Sequence, residues 1–500
     1  MSSSETLEAP VTESAAFTLD DTDYEILLAI CRSAYDQACH NRRPVLASWA
    51  KPLNLADTIS VWSHARLLTP RSLLWHSAWD QGSVMAFGTA HELSGQGADR
   101  IASVREQWSD LARDQVSGGS PVTALPSGVG PLALGGFAFS PAHPGAQTPL
   151  PDGLMWIPAV QIRGRVPEPG GSASPALVEL RLNAVLDQDS DPGQTAKELV
   201  HLADKCLTRN PSLLEQDRSI SVAHTQTSVE LPSAEDWKDL VRDATAQMRE
   251  GVFEKVVLAR EVRITASEPF DVPLVVGRLR AANPGTTVFV VDHHDHTFLG
   301  ATPEYLVRVE NGTAHALGLA GTTPRGITPE QDTALERELV DSSKIQHEHD
   351  VVVRMLRDAL QDSCSDVTAE TPPRVVKLTN VQHLSTKVRG RLAPDSPAGI
   401  LDLVGRLHPT PALGGHPREE ALSWLAAHEG FDRSWYAGVV GWADHTGQGQ
   451  FAVAIRSALL SGTTASMYAG CGLVADSDPE MEFAETCAKL RPMMSALGIQ

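Results

Sequence analysis

The stretch that decides the fold lies near the C-terminus and reads Tyr468-Ala-Gly-Cys-Gly-Leu-Val-Ala-Asp-Ser-Asp-Pro-Glu-Met-Glu-Phe-Ala-Glu-Thr-Cys-Ala-Lys489. Its pattern predicts a β-strand, a glycine-rich turn at Gly470-Cys471-Gly472 and then a helix. Ser477 or Asp478 suits the N-cap, and Pro479 suits the first helical position, where a backbone N–H is not needed. The rest of the chain is expected to converge on this strand–turn–helix unit.

Three charged residues share one face of the predicted helix. At 3.6 residues per turn, Glu482, Glu485 and Lys489 fall within roughly 60° of one another. Two carboxylates and an ammonium group suit a hard divalent cation together with an anionic substrate. The alternative is a solvated helix face with ordinary i,i+3 and i,i+4 charge pairs. The glycine turn favours binding, because such a turn exposes backbone N–H groups to an anion.

Composition excludes several classes of protein. The 500 residues carry 41 Lys and Arg against 62 Asp and Glu, a net charge of −21, which argues against nucleic acid or an anionic membrane as partner. Six scattered cysteines indicate neither a zinc site nor a disulfide framework. No apolar run is long enough to span a bilayer, and the polar, acidic first twenty residues do not resemble a signal peptide. We therefore expect a cytoplasmic protein.

The chain divides into three predicted parts. Residues 1–20 form a disordered tail, residues 21–232 an N-terminal part, and residues 233–500 a second part that carries the candidate functional residues. The first two parts carry no motif that indicates a function.

Two titratable residues of the second half lie in apolar surroundings. Lys255 falls inside the predicted strand Val252–Arg260, where it either extends to solvent or is buried as a neutral amine usable as a base. Glu304 follows a proline in an apolar context. Partial burial would raise its pKa, as a general acid requires, whereas at the start of the next element it would be merely structural.

A long helix is predicted from about Pro329 to Asp362, with a break near Asp341-Ser-Ser343. Glu348 shares a face of this helix with apolar residues, so its carboxylate needs a partner or a metal ion.

Other polar groups are less decisive. His383, in a strand-like run, is by default a core histidine. Arg456 lies in a predicted strand from Gln450 to Leu460, among small alanines that leave room for a carboxylate. The alternative role for Arg456 is a salt bridge on an edge strand.

The histidines of the turn Asp292–His296 point in diverging directions, which indicates an exposed loop rather than a metal site.

Nine ordered segments resemble the chorismate-binding enzymes, a family that includes isochorismate, salicylate, anthranilate and aminodeoxychorismate synthases. The segments span roughly residues 233 to 497, and a looser similarity through GGFAF near Gly135 extends toward the N-terminus. In chain order they are EKVVLARE, FLGATPEYL, LAGTTPRG, HEHDVVV, VQHLSTKVRG, HPTPALGGHP, WYAGVVGW, FAVAIRSA and AGCGLVADSDPEMEFAETCAKL.

The resemblance implies a fold, a cofactor and a reaction. The implied fold is α+β, with two large, mostly antiparallel sheets packed face to face and helices outside. The implied reaction is Mg²⁺-dependent conversion of chorismate to isochorismate, with Lys255 as the base that activates water and Glu304 as the acid. Glu348 and Glu485 would bind Mg²⁺, and Glu482 would act through a coordinated water.

The same resemblance implies a substrate pocket. Arg456, Tyr436 and the Gly470 backbone would receive the enolpyruvyl carboxylate of chorismate. The pocket would be completed by Gly321, Thr322, Ala412, His383 and Lys489.

The subfamily also follows from the resemblance. Members that use ammonia typically carry Gln at the position of Lys255, so the lysine favours isochorismate or salicylate synthase. The loop HPTPALGGHP and Ile455 are similar to the isochorismate type, whereas PEMEFAETCAKL is also close to salicylate synthases. A non-catalytic binding module is the remaining alternative. The sequence does not separate menaquinone from siderophore biosynthesis, and we expect a monomer or a weak homodimer.

Overall fold

The computed structural model describes residues 19–55, 58–123, 125–141, 148–166, 176–208, 225–377, 381–393 and 398–499. Within these ranges the side chains of residues 225, 226, 320, 344 and 348 are not described. Residues 1–18 of the predicted tail therefore lie outside the described residues. The family resemblance rests almost entirely on segments that the structure describes.

Helices lie around the sheets, and several of them begin at a capping side chain. They are α1 (Asp21–Asn41), α2 (Thr58–Ala65), α3 (Arg100–Arg113), α4 (Pro192–Leu207), α5 (Ala234–Arg249), α6 (Val272–Ala282), α7 (Pro329–Asp341), α8 (Ser343–Gln361), α9 (Ile400–Leu407), α10 (Arg418–His428) and α11 (Pro479–Leu497). The Asp478 side chain accepts hydrogen bonds from the backbone N–H groups of Glu480 and Met481, as an N-cap does. The long predicted helix breaks at Ser342, which caps α8. Both predictions are confirmed.

One sheet has thirteen strands in the described residues and contains strands from both halves of the chain. In spatial order they are β10 (Thr225–Leu231), β11 (Lys255–Ala266), β23 (Thr464–Leu473), β22 (Ser457–Ser461), β13 (His296–Thr302), β12 (Thr287–His293), β2 (Arg71–His76), β3 (Gly82–Phe87), β8 (Val160–Arg165), β9 (Ala176–Leu186), β1 (Val45–Leu55) and β5 (Val116–Gly119), with β19 (Gly415–His416) beside β11.

The second sheet has ten strands in the same described residues. Its order is β16 (Cys364–Ala369), β18 (Val381–Leu392), β15 (Thr313–Pro324), β14 (Tyr305–Glu310), β21 (Gly449–Val453), β20 (Val439–Asp444), β6 (Leu132–Phe137), β7 (Gly153–Ile157) and β4 (His91–Gly95), with β17 (Arg374–Lys377) beside β18. The described pairings are antiparallel except that between β1 and β5.

The two sheets pack face to face over one apolar core, and helices cover the outer face of the thirteen-stranded sheet. Because successive strand residues point to opposite faces, Phe289 and Val291 of β12 enter the core between the sheets, whereas Val288 and Val290 enter the core beneath the helices. The predicted α+β fold is confirmed. Among the described helices, none combines the length and the apolar composition needed to cross a bilayer. The predicted division between residues 232 and 233 stays a prediction.

The chain passes between the sheets several times, and two of these crossings, here called the first and the second, are neighbours. After β13 of the larger sheet, Pro303 and Glu304 lead into β14 of the smaller sheet. After β21 of the smaller sheet, residues 454–456 lead back to β22 of the larger one. The predicted single strand from Gln450 to Leu460 was therefore wrong, because the two ends of that segment pair with different sheets.

Two further local predictions need correction. Gly470, Cys471 and Gly472 are not a turn. They lie within β23 and pair with Ala259, Leu258 and Val257 of β11, because a neighbouring strand outweighs the weak strand propensity of glycine.

The segment Asp292–His296 is only partly an exposed loop. Asp292 belongs to β12, is buried, and accepts two hydrogen bonds from Arg66, so the exposed residues are His294 and Asp295 at the hairpin tip. The turn is shorter than predicted because the β12–β13 ladder extends to His293 and His296.

Candidate active site

Glu304 occupies the first crossing between the sheets and is almost fully buried, with 7% of its surface exposed. Its backbone carbonyl accepts a hydrogen bond from Val453 N at 3.0 Å, which fixes it against β21. Burial raises the pKa of the Glu304 carboxyl to about 8, and the charges of Lys255 and Lys489 oppose that rise. The carboxyl is therefore protonated at neutral pH and lies within electrostatic reach of both ammonium groups.

Lys255 is the first residue of β11 and is buried, with 6% of its surface exposed. It is opposite His416 of β19, and the next residue, Val256, is opposite Gly415. Burial rather than extension to solvent is thus the outcome for this lysine. Lys255 is thus buried within electrostatic reach of a carboxyl that is protonated at neutral pH.

Arg456 occupies the second crossing in a left-handed backbone conformation, with φ of 53°. Its Nη1 donates to the carbonyl oxygen of Lys489 on α11 at 3.0 Å. Burial lowers the pKa of Arg456, while Tyr436 and Glu485 oppose the lowering. The predicted position on a strand face with alanines was wrong, and so was the edge-strand alternative, because the residue lies between the sheets. A half-buried guanidinium between the sheets suits a carboxylate of a ligand.

His383 of β18 and Thr322 of β15 form one wall. Thr322 Oγ1 and His383 Nδ1 are 3.0 Å apart. Burial and the nearby charges of Arg456 and Lys489 lower the pKa of His383 to about 3, so the ring is neutral at physiological pH. Gly321 has φ of 78°, and a Cβ there would lie 2.4 Å from Ile345 Cγ2 of α8. Only glycine therefore fits where β15 meets that helix.

Tyr436 and Gly470 approach each other on the opposite side. The Tyr436 ring stacks on Tyr468 with centroids 5.1 Å apart, and burial raises the pKa of its hydroxyl. A Cβ on Gly470 would lie 3.3 Å from the Tyr436 oxygen. The Gly470 carbonyl accepts a hydrogen bond from Lys489 Nζ at 2.9 Å. Lys489 therefore occupies the Gly470 carbonyl, and Gly470 lies in a strand rather than in a turn.

The charged face of α11 has the predicted composition. Lys489 Nζ and Glu485 Oε1 form an ion pair at 2.6 Å. Glu482 accepts a hydrogen bond from Ser477 Oγ at 2.7 Å. Burial raises the pKa of Glu482, and the charge of Glu485 adds to the rise. Two carboxylates thus crowd each other on a half-buried surface, an arrangement that a bound cation would relieve.

Sequence reasoning missed the residue that holds this helix. Arg260 of β11 donates from Nε to Thr486 Oγ1 at 2.8 Å and from Nη2 to Cys487 Sγ at 3.1 Å. Its guanidinium lies 4.3 Å from the centroid of the Phe483 ring. These contacts fix the back of α11 and so orient the face with Glu482 and Glu485. The sequence offered one indication of this role, a charged arginine at the end of the apolar strand sequence KVVLAR.

The remaining predicted metal ligand is Glu348 on α8, whose side chain lies outside the described residues. The next residue, His349, is buried with Nε2 2.7 Å from Thr386 Oγ1, which anchors this part of α8 on β18. Over the side chains that the structure does describe, no three His, Cys, Asp or Glu residues meet in a metal-binding cluster. The donors of Glu482 and Glu485 are carboxylate oxygens, so their chemistry fits Mg²⁺.

Ala412 lies in the irregular loop predicted between Leu407 and Pro417, and its side chain is half-buried. The loop joins β11 through hydrogen bonds from Val257 N to Gly414 O at 2.9 Å and from Glu254 N to His416 O at 2.8 Å. The shaped loop is therefore attached to the strand that begins with Lys255.

These residues form one cluster of titratable and charged groups, linked through Lys489 and Arg456, between the two sheets of an α+β protein. The chain belongs to the family of chorismate-binding enzymes, because the sequence model of the chorismate binding enzyme family matches residues 33–498. The predicted family is thereby confirmed.

Two relatives cover nearly the whole chain. The isochorismate synthase MenF of Bacillus subtilis is 33% identical over 459 residues, which cover 91% of this chain and 94% of the relative. The salicylate biosynthesis isochorismate synthase of Pseudomonas aeruginosa is 36% identical over 473 residues, 93% of each chain.

Solved structures share the fold. MenF of Escherichia coli, described as the menaquinone-specific isochorismate synthase, superposes with a TM-score of 0.73 at 24% identity, covering 93% of this chain and 99% of that one. Anthranilate synthase component I of Streptococcus pneumoniae superposes with a TM-score of 0.65 at 21% identity, covering 83% and 92%. At these identities the likeness concerns the fold alone.

Proposed function

We propose that the protein is an isochorismate synthase, an isomerase that converts chorismate to isochorismate with the help of Mg²⁺. The observation that carries the proposal is the pairing of a buried, protonated Glu304 with the buried amine of Lys255. The relatives at 33% and 36% identity over more than nine-tenths of the chain are isochorismate synthases by name, which supports the same activity.

The reaction needs one proton removed and one proton delivered. Lys255 takes a proton from a water molecule, whose oxygen adds at C2 of the ring. The ring double bonds shift, and the C4 hydroxyl leaves as water after accepting a proton from Glu304. One water enters and one leaves, so substrate and product are isomers. A carboxyl whose pKa is raised by burial is suited to the acid role near neutral pH.

The substrate is a dianion, and the pocket offers cationic groups for both carboxylates. Arg456, Tyr436 and the backbone at Gly470 would bind the enolpyruvyl carboxylate. The walls would be formed by Gly321, Thr322, His383, Ala412 and Lys489. A neutral His383 bonded to Thr322 contributes a polar surface without adding charge.

Mg²⁺ would be held by Glu485 and Glu348, with Glu482 acting through a coordinated water. When bound, the ion supplies positive charge that holds the ring carboxylate and neutralises the crowded acids of α11. The raised pKa of Glu482 beside Glu485 supports this assignment. A cytoplasmic location and a monomer or weak homodimer stay predictions.

A single chromatographic experiment tests the function. The purified protein is incubated with chorismate, with and without Mg²⁺, and the products are separated and identified. Isochorismate that forms only with Mg²⁺ is the expected result. Salicylate with pyruvate would instead indicate a salicylate synthase, and a product that requires ammonium would indicate an aminating enzyme. Intact chorismate under all conditions would overturn the enzymatic proposal in favour of a binding module.

A further inference from the structure

A buried ion pair lies beside the pocket and has no part in the mechanism above. Arg433 binds Glu429 through two hydrogen bonds, Nε to Oε2 and Nη2 to Oε1, both 2.6 Å long. Their side chains are only 2% and 6% exposed. A charge pair removed from water is costly, and such pairs are often no more stabilising than apolar residues of similar size. Stability alone is therefore a weak explanation for it.

The pair closes a gap in the sheet next to Lys255. On one edge, β11 pairs continuously with β23. On the other edge, β19 pairs only with Lys255 and Val256, and the pairing with β10 starts at Glu261. On this second edge, no strand of the described residues pairs with the backbone of Val257 or Ala259.

Side chains and a loop supply the missing partners. Val257 N donates to Gly414 O at 2.9 Å, and Val257 O accepts from Arg433 Nη2 at 2.6 Å. Ala259 N donates to Glu429 Oε1 at 2.8 Å, and Ala259 O accepts from Trp237 Nε1 at 3.2 Å. The ion pair thus provides two of the four hydrogen bonds that hold this edge.

The same guanidinium also holds the loop of the pocket. Arg433 Nη1 donates to Leu413 O at 3.0 Å, next to Ala412. The face of the guanidinium lies 4.2 Å from the centroid of the Phe139 ring, which blocks movement on that side. One planar group therefore joins Val257, two residues after Lys255, to the loop that contributes Ala412.

We infer that the Glu429–Arg433 pair is a positioning device that sets the Lys255 amine relative to the loop Leu407–Pro417. This inference rests on the proposed function, in which Lys255 is the base. Neither Glu429 nor Arg433 is assigned a contact with substrate, and both act through β11 and the loop. Lysine in place of Arg433 keeps the charge but cannot reach Glu429, Val257 and Leu413 together.

The test compares Arg433→Lys with a matched control elsewhere in the larger sheet. Arg66 also forms a buried bidentate pair, with Asp292, at 3.1 and 2.8 Å. Further hydrogen bonds join that pair to Thr297 and Ser72, on β13 and β2. Arg66→Lys therefore perturbs a buried pair of the same type without touching β11 or the loop. Glu429→Gln is measured alongside, because it keeps an oxygen for Ala259 N while removing the charge that holds Arg433.

Two measurements are made on folded protein. The first is kcat and KM for chorismate. The second is backbone hydrogen exchange in the peptides that cover residues 254–261 and 411–416. We expect Arg433→Lys and Glu429→Gln to lower kcat by about 10- to 100-fold, the usual consequence of a misplaced catalytic group, with a smaller change in KM. Exchange in both peptides should accelerate. Arg66→Lys should leave kcat and the hydrogen exchange of both peptides unchanged, even if it lowers Tm as much as Arg433→Lys does.

Two outcomes would overturn the inference. One is an equal loss of kcat in Arg433→Lys and Arg66→Lys, which would reduce the pair to a stability effect. The other is unchanged exchange at residues 254–261 and 411–416 in both pocket variants. The exchange measurement does not depend on turnover. An inactive wild-type chain would therefore refute the proposed function, whereas the exchange data would still decide whether the pair holds the strand and loop.

Discussion

Glu304 and Arg456 lie at two adjacent crossings of the chain between the sheets, and each is fixed by the strand next to the other crossing. Val453 N, at the end of β21, donates to Glu304 O at 3.0 Å, and Ala301 N of β13 donates to Arg456 O at 3.2 Å. The side chains of Glu304 and Arg456 therefore extend from short backbone segments that connect a strand of one sheet to a strand of the other. Residues at such points face the space between the sheets, which explains why the pocket lies there.

The raised pKa of Glu304 predicts a pH-dependent stability. Burial favours the neutral carboxyl, so its pKa is about 8 in the folded chain against an ordinary value of 4.5. The neutral carboxyl therefore contributes to the free energy of unfolding, fully below about pH 4.5. This contribution is lost as the pH rises through about 8, because the unfolded chain releases the Glu304 proton at a lower pH than the folded chain does. Between pH 5 and 9, the Tm of the wild type should fall more steeply than that of Glu304→Gln, by on the order of a few degrees.

Thermal unfolding followed by circular dichroism at several pH values measures this difference. Glu310→Gln is the control, since Glu310 lies exposed at the far end of β14, the strand that follows Glu304. Parallel curves for the wild type and Glu304→Gln would show that the buried carboxyl does not titrate as described.

Much of the local structure could be predicted because it depends on residues close in sequence. Asp478 caps α11 with Pro479 in its first turn, and Ser342 separates α7 from α8, as capping chemistry requires. Glu485 and Lys489 pair because helical geometry brings residues four apart together. The family resemblance then supplied the two-sheet fold.

The parts that could not be predicted depend on pairing over long distances in the chain. Gly470 resembles a turn residue until β11 is placed beside it. Arg456 fits a strand pattern, but its neighbours on the two sides belong to different sheets. The partnership of Arg433 with Val257 joins residues 176 positions apart, which no local pattern indicates.

The assignment of Lys255 as base predicts loss of turnover without loss of binding. Lys255→Ala removes the group that accepts the proton from water, so turnover of chorismate should fall by about 10²–10⁴-fold. The groups proposed to hold the substrate carboxylates remain, so calorimetry should still detect chorismate binding. Lys387→Ala, at an exposed position of β18, is the control and should behave as the wild type. Undiminished turnover in Lys255→Ala would remove this residue as the base.

The carboxylates of α11 predict how activity depends on Mg²⁺. Glu485→Gln removes one proposed ligand charge and also the partner of Lys489 at 2.6 Å. The Mg²⁺ concentration that gives half-maximal activity should rise by about 10-fold or more. Glu480→Gln is the matched control on the same helix, because Glu480 is exposed and pairs with Lys238. An identical Mg²⁺ titration for the wild type and Glu485→Gln would assign the ligand to another residue.

Arg456 predicts a loss of substrate affinity that charge alone does not restore. Its side chain is half-buried and donates from Nη1 to Lys489 O at 3.0 Å, and a guanidinium carries five N–H groups in a planar fork. Lysine at this position keeps the charge but offers no planar fork, so a two-pronged bond to a carboxylate is lost. We expect Arg456→Lys to raise KM for chorismate by about 10- to 100-fold, with a smaller fall in kcat, because the carboxylate lies away from the reacting carbons.

Steady-state kinetics at saturating Mg²⁺ measures KM and kcat of this variant. Arg491→Lys, exposed on α11, should leave both unchanged. If kcat falls while KM is retained, Arg456 acts on the chemical step rather than on binding, and the carboxylate must be bound elsewhere in the pocket.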